Sequence, residues 1–345
     1  MKQDFTTSRV YNLSGMFTLT LRLVVGWTYF SVFWRRIVLE NRLVEDSPGY
    51  IGEQFNHFLP NALGIRPVIE YLVATPDILW WSMLIFTIIE GIVGLLFMLG
   101  CFTRLASIGV IILAGGILLG SGWIGSVCLD EWQIGVLGIA TGFTIFLAGG
   151  GHYSMDNLWI SKNPGFSEWK WYSWVASGEF PLQGESLKKL VLIGSGVILF
   201  LTLFTNQMFH GGVFGELHNM SVKPKIETTD ANLQDRRLQF TMSRVEGIDV
   251  YGSFLIGIAL EDMEGNKILN LNMEDLAHFP TGNIHNKYVA KVKPGRHSMI
   301  IPLGAKATLN IESAGLINLS PGNYNLILTD ISGMTWEQEI IKGYS

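Results

Sequence analysis

The sequence has very few of the residues that build metal and redox centres. It contains two cysteines, Cys101 and Cys128, in 345 residues, and they form no C-x-x-C, haem-attachment or iron–sulfur pattern. The seven histidines show no ligand spacing and no i, i+4 pair on a predicted helix. We therefore predict no bound metal or haem, so any redox chemistry requires a borrowed or diffusible cofactor.

Charged residues are also scarce. They make up 15% of the chain, against about a quarter in soluble proteins, while 48% of the residues are hydrophobic. The net charge of −5 and the lack of a basic run argue against a nucleic-acid partner, and we predict none. Because the apolar runs all lie in residues 1–210, we predict a membrane domain there and a soluble domain in residues 211–345.

Five apolar stretches approach the roughly 20 residues that a transmembrane helix needs. They are Gly15–Trp34, Ile78–Leu99, Phe102–Gly120, Trp132–Gly149 and Leu187–Met208. The first is not followed by a small-residue cleavage site, so we expect it to be retained as an anchor. The N-terminal domain is therefore predicted to be an all-α bundle of about five transmembrane helices in the cytoplasmic membrane, in contact with lipid.

The distribution of Lys and Arg indicates an N-terminus inside, with the C-terminal domain and the Cys128 segment outside the cytoplasm. The first loop opposes this orientation, because it carries Arg35, Arg36, Arg42 and Arg66 on the disfavoured side. A functional role for these arginines would explain their position. The alternative is that their side chains reach lipid head groups.

Residues 211–345 alternate in hydropathy, with turns at Pro294-Gly295 and Pro321-Gly322. This pattern predicts an all-β sandwich. The candidate strands are Leu238–Val245, Val250–Leu260, Lys267–Asn272, Tyr288–Lys293, His297–Pro302, Ala307–Glu312, Tyr324–Thr329 and Thr335–Ile341.

Several segments resemble a known family. LRLVVGWTYFSVFWRR in the first helix, LGCFTRLAS after the second and GGGHYSMDNL after the fourth resemble the DoxX-type membrane bundle, and more narrowly the DoxD subunit of thiosulfate:quinone oxidoreductase. The C-terminal VYGSFLIGIAL and GRHSMIIPLGAKATLNI are similar to the partner subunit DoxA. The chain thus resembles a DoxD–DoxA fusion.

This resemblance implies oxidation of thiosulfate, or a related sulfur oxyanion, to tetrathionate, with electrons passed to the membrane quinone pool. Two alternatives stay open. The chain could be a non-enzymatic membrane module that binds or carries a sulfur oxyanion or supports a redox partner, or a bundle that only anchors the sandwich. A homo-oligomer is compatible with either class of function.

Joining two thiosulfate dianions brings four negative charges together, so the site needs fixed cations. The guanidinium groups of Arg35, Arg36, Arg42 and Arg66 suit bidentate contacts with sulfonate oxygens, and we predict that they bind the substrate.

Two ionisable residues lie inside predicted membrane helices, Arg22 in the first and Glu90 in the second. At 1.5 Å per residue their depths agree, which predicts an ion pair across the bundle. Arg22 would otherwise belong to a quinone site and Glu90 would deliver protons to it. Trp27, Trp80 and Trp81 are candidates to flank a quinone ring, or are belt and packing residues.

Cys128 is followed by Asp130 and Glu131. A Cys128 thiolate could carry sulfane sulfur covalently, with the three residues forming a catalytic group. Both acids would raise the thiol pKa unless an arginine intervenes. Alternatively, Cys128 is a small buried residue and Asp130 caps the fourth helix. Cys101, at a tight hairpin, is predicted to be a packing residue.

Overall fold

The computed structural model describes residues 11–121, 131–163, 165, 169–216, 223–234, 236–247, 253–317 and 319–343. These residues form two compact units. The first contains residues 11–50, 80–121 and 131–216, and is helical. The second contains residues 51–79 together with the described residues from 223 onward.

The first unit consists mainly of long apolar helices. Three helices, Pro76–Leu99 (α5, which begins in the second unit), Thr103–Ser121 (α6) and Gly184–His210 (α10), are long and apolar enough to cross a membrane. A fourth candidate span combines Tyr11–Phe17 (α1) with Leu19–Leu39, bent by 53°. Glu131–Ala148 (α7) is apolar but shorter. The described part of the chain thus has three to four candidate spans rather than the predicted five, and the expected helical bundle is confirmed.

The fourth candidate span changes from an α-helix to a π-helix along its length. Leu19–Phe33 (α2) is α-helical and continues as the π-helical segment Trp34–Leu39. Because the π-helical turn extends the span beyond Trp34, Arg35 and Arg36 belong to the helix rather than to the loop after it.

Two short helices complete the first unit, Met155–Lys162 (α8) and Lys170–Val175 (α9).

Glycines set how closely α2 and α5 approach. A Cβ atom on Gly94 would lie 2.4 Å from the backbone nitrogen of Phe30, and one on Gly26 would lie 2.8 Å from the backbone nitrogen of Met98. A Cβ on Gly91 would meet the Phe33 ring at 2.7 Å. These contacts place Gly26 opposite Gly94 and Met98, and Phe33 opposite Gly91, so the two helices run antiparallel in a fixed register.

The second unit contains a β-sandwich of two antiparallel sheets, as predicted. Their orders are β1-β2-β8-β5 and β10-β9-β3-β7-β6, with β4 also paired to β3. The buried residues of both sheets form one apolar core. The strands are Lys225–Gln234 (β1), Arg237–Glu246 (β2), Ser253–Asp262 (β3), Lys267–Leu271 (β4), Ile284–Asn286 (β5), Lys293–Pro294 (β6), Met299–Ile301 (β7), Lys306–Glu312 (β8), Gly322–Asp330 (β9) and Thr335–Lys342 (β10).

The sandwich differs from the sequence prediction in several strands, and the short strand β5 is one that was not predicted. The edge strand β1 was not predicted, because KIETTDANLQ buries only Ile226 and Leu233 and so lacks an apolar alternation. The predicted strand Tyr288–Lys293 is wrong, since strand pairing in this segment begins only at Lys293. A short helix, Met273–Ala277 (α11), begins with a capping box between Asn272 and Asp275.

Two helices from the first half of the chain belong to this second unit. They are Ile51–His57 (α3) and Arg66–Val73 (α4). The backbone N–H of Val289 donates to the carbonyl of Val73 at 3.2 Å. Gly304, at φ +74°, packs so closely on Asn56 that a Cβ would lie 2.3 Å from the Asn56 carbonyl oxygen. The sandwich therefore packs on a segment that precedes it by more than 150 residues.

Candidate functional site

An ion pair lies within the helical unit. The Arg36 guanidinium, from the π-helical turn, donates to Glu90 of α5 with an Nη1–Oε2 distance of 2.7 Å. The Glu90 side chain is 6% exposed and that of Arg36 is 21% exposed. A carboxylate at this depth in an apolar helix is costly unless it is paired, and Arg36 supplies the pairing charge.

The predicted Arg22–Glu90 pair is wrong. Arg22 donates to the carbonyl oxygens of Gly150 and Tyr153, while Glu90 bonds Arg36. Equal depth was not sufficient, because α2 begins only at Leu19 and the glycine contacts place Arg22 beside Gly100. The same register places the π-helical turn at the level of Glu90.

Other polar groups accompany this pair. Thr87 lies one turn before Glu90 on α5 and is fully buried, and its hydroxyl has no hydrogen-bond partner within the described residues. Tyr29, 5% exposed, is one of the three buried residues of α2. Its hydroxyl lies 3.1 Å from the position of a Cβ on Gly138 of α7. Residues three apart share an α-helix face, so Thr87 and Glu90 lie on one face of α5, and Tyr29 interacts electrostatically with Glu90.

A second polar cluster lies where α5 joins α6. The buried Asp156 carboxylate accepts from the backbone N–H groups of Phe102 and Thr103 at 2.7 and 2.9 Å, and from the Thr103 hydroxyl at 2.7 Å. Ser177 donates to the Thr103 hydroxyl at 2.9 Å and accepts from the Gly150 N–H at 2.8 Å. The LGCFTRLAS and GGGHYSMDNL motifs therefore meet in one hydrogen-bonded network.

Two arginines complete this cluster. Arg104, fully buried, donates to Phe146 O at 3.1 Å, to Gly178 O at 2.8 Å and to Ala176 O at 3.1 Å. It also lies 4.9 Å from the centre of the Phe180 ring. Arg22 is 2% exposed, and both of its terminal nitrogens donate hydrogen bonds to backbone carbonyls. Both guanidinium groups thus hold backbone segments together, which is a structural task.

Cys101 lies in the same turn and is 6% exposed. Burial raises the pKa of its thiol, and the nearby Asp156 carboxylate raises it further. A high pKa disfavours the thiolate, which is the nucleophilic form. This agrees with the predicted packing role of Cys101.

The remaining predicted residues of the helical unit lie at its surface. Arg35 is exposed and donates to Ser31 O at 3.3 Å, and the half-buried Arg42 pairs with Glu40 at 2.9 Å. Trp27 and Trp81 are 53% and 60% exposed. Trp80 contacts Trp81 edge-on, with ring centres 4.8 Å apart. Their positions suit contact with lipid, and a role beside a quinone stays a prediction.

Of the predicted group Cys128, Asp130 and Glu131, only Glu131 lies within the described residues. Cys128 and Asp130 lie outside the described residues, and Glu131 is the first residue of α7. Arg66 is the first residue of α4 and belongs to the second unit, whereas Arg35, Arg36 and Arg42 belong to the first. No group of three or more potential metal ligands occurs within the ranges that the structure describes.

Comparison with known families gives two matches. Residues 17–183 match the model of the TQO small subunit DoxD. Residues 209–339 match the model of the TQO small subunit DoxA. The two matches together cover most of the chain, in this order and without overlap.

Proposed function

We propose a thiosulfate:quinone oxidoreductase activity for this chain, which belongs to the DoxD and DoxA families of TQO small subunits and is a fusion of the two. Two thiosulfate dianions would be joined through sulfur to give tetrathionate and two electrons. The quinone substrate would take up these electrons with two protons. The observation that supports this most is the buried Arg36–Glu90 pair beside the Thr87 hydroxyl, which has no hydrogen-bond partner in the described part of the chain.

The residues present fit a quinone substrate. A quinone carbonyl is a hydrogen-bond acceptor on an apolar ring, and the Thr87 hydroxyl is a donor in an apolar bundle that has no acceptor among the residues the structure describes. In the proposal Thr87 orients the substrate and Glu90 holds a proton. Arg36 keeps the Glu90 carboxylate in place and compensates its charge when the proton leaves.

Sidedness and the sulfur chemistry are also proposals. The Lys and Arg distribution supports a second unit outside the cytoplasm. Cys128, with Asp130 and Glu131 near it in sequence, stays the proposed carrier of sulfane sulfur. The rival carrier function differs in one respect, since a carrier binds the oxyanion without reducing a quinone.

The activity is tested by mixing the purified full-length protein with thiosulfate and a water-soluble quinone analogue in a stopped-flow spectrometer. We expect loss of the quinone absorbance and one tetrathionate per quinone reduced. Cys128→Ser should abolish turnover if the thiol carries sulfur. A folded protein that binds thiosulfate but reduces no quinone analogue would instead favour the carrier.

Thr87 provides a separate test of the quinone site. Thr87→Val removes only the hydroxyl and keeps the β-branched shape, so we expect the KM for the quinone to rise about three- to tenfold, as for one lost hydrogen bond. The KM for thiosulfate should not change. Thr144→Val is the matched control, because Thr144 is a helical threonine whose hydroxyl already bonds Ala140 O at 2.8 Å. Equal quinone KM values for the Thr87 variant and wild type would contradict this assignment.

A further inference from the structure

The second unit contains a polar cleft that the proposed function does not yet use. It is an open cleft of about 70 Å³ between the start of α4 and strands β2 and β8, too small for a drug-sized ligand but of a size for a small ion. Ser243 and Lys306 lie directly opposite each other on β2 and β8. The lining residues are Leu59, Pro60, Arg66, Glu70, Ser243, Arg244, Val245, Tyr288, Gly304 and Lys306.

The lining is rich in positive charge. It has three cationic side chains, Arg66, Arg244 and Lys306, against one carboxylate, Glu70. Arg244 is 1% exposed and donates to Ile301 O at 3.3 Å and to Glu246 O at 3.4 Å. Within the described residues, Arg66 and Lys306 have no carboxylate within 4.0 Å. Two cations are therefore available to a ligand from the cleft.

The single carboxylate is engaged by a tyrosine. The Tyr288 hydroxyl donates to Glu70 with an Oη–Oε1 distance of 2.5 Å. Burial raises the pKa of Tyr288, and the Glu70 carboxylate raises it further, so the phenol stays a donor well above neutral pH. Glu70 follows Arg66 by four residues on α4 and is its natural helical partner. By holding Glu70, Tyr288 leaves the Arg66 guanidinium without an intrahelical ion pair.

We propose that this cleft binds a divalent sulfur oxyanion, with Arg66 and Lys306 as its cationic contacts. Given the proposed function, on which this assignment rests, the ligand is thiosulfate. Two cations with no ion pair among the described residues match the two negative charges of the ion, and the Ser243 hydroxyl adds a hydrogen-bond donor. The site is complete only when both family segments are present. Arg66 belongs to the DoxD match, whereas Ser243, Tyr288 and Lys306 belong to the DoxA match.

The test is calorimetric titration of the detergent-purified full-length protein with sodium thiosulfate at constant ionic strength. Arg66→Gln and Lys306→Gln should each raise Kd about ten- to hundredfold, as expected for loss of a charge-assisted hydrogen bond. Arg236→Gln and Lys267→Gln are matched controls, because both residues are exposed in the same unit and lie outside the cleft. They should leave Kd within about twofold of wild type. Tyr288→Phe should weaken binding about three- to tenfold, since it frees Glu70 to pair with Arg66.

The outcomes separate this site from the proposed activity. If thiosulfate binding depends on Arg66 and Lys306 but no quinone is reduced, the anion site stands and the oxidoreductase function fails. If wild type reduces quinone and the thiosulfate KM is unchanged in both variants, the function stands and this site is refuted. A Kd unaffected by either substitution also refutes the site. A thermal-unfolding midpoint equal to that of wild type shows that each variant keeps its fold.

Discussion

Replacing Glu90 by leucine is expected to destabilise the helical unit and stop quinone reduction together, whereas a second substitution should restore only the stability. Glu90→Leu leaves the largely buried Arg36 guanidinium without its carboxylate, which costs about 3 kcal/mol of unfolding free energy. Arg36→Leu alone leaves a buried carboxylate and should cost a similar amount. In the double variant both charges are gone, and we expect stability within about 1 kcal/mol of wild type.

Quinone reduction, unlike stability, should not recover in the double variant. A positioned proton donor contributes about 10²- to 10⁴-fold to rate. The double variant should therefore be stable, but its kcat with the quinone analogue should be at least about 100-fold lower than that of wild type, because the proton donor is lost. Unfolding of the four proteins in one detergent, together with kcat for each, makes a double-mutant cycle on both quantities. If the double variant recovers activity along with stability, the pair is structural and Glu90 carries no proton.

The exposed pair Arg42–Glu40 is the matched control for this cycle. Its atoms are 2.9 Å apart, yet the side chains are 40% and 66% exposed. Exposed pairs of this kind couple by less than about 1 kcal/mol. The corresponding leucine cycle should therefore show little coupling in the free energy of unfolding. A large loss of kcat in Arg42→Leu would support the predicted role of that arginine in binding the substrate.

The contrast between Arg22 and Arg36 shows where sequence reasoning reached its limit. Composition placed both arginines near the first span, and the cost of an intramembrane charge correctly indicated that Glu90 needs a partner. Depth along each helix could not select that partner, because the choice depends on the register between two helices. The register follows from the close approach at Gly26 and Gly94, and a lone glycine in an apolar helix does not reveal which helix it will meet.

The cleft of the second unit illustrates a different limit. Arg66 was predicted to bind substrate, but Tyr288 and Lys306 lie more than 200 residues away in sequence and belong to a segment with no catalytic motif. Strand alternation predicted the sandwich well, because a buried strand must alternate. Strand alternation contains no information on which distant helix packs against the sheet. The family motifs were likewise recognised without their roles, and Asp156 within GGGHYSMDNL proves to be a structural centre.

Asp156→Ala is therefore expected to be the most damaging single substitution outside the proposed sites. It leaves two backbone N–H groups at the start of α6 and the Thr103 hydroxyl without their acceptor. It also removes the carboxylate that interacts electrostatically with the buried Arg22 and Arg104. Loss of a cap together with a buried charge should lower the unfolding free energy by about 3–5 kcal/mol. Thermal unfolding in detergent measures this loss.

A local readout separates this effect from general instability. Cys101 lies in the turn that Asp156 holds and is 6% exposed, so in a Cys128→Ser background its thiol should react slowly with a maleimide. Asp156→Ala should speed this labelling more than tenfold at temperatures where the protein is still folded, because opening of the turn costs less once its bonds are gone. Asp77→Ala, which removes an exposed acid from the first turn of α5, should cost no more than about 1 kcal/mol and leave labelling unchanged. Equal labelling rates for the Asp156 variant and wild type would mean that the turn is held by the Arg22 and Arg104 contacts with carbonyls instead.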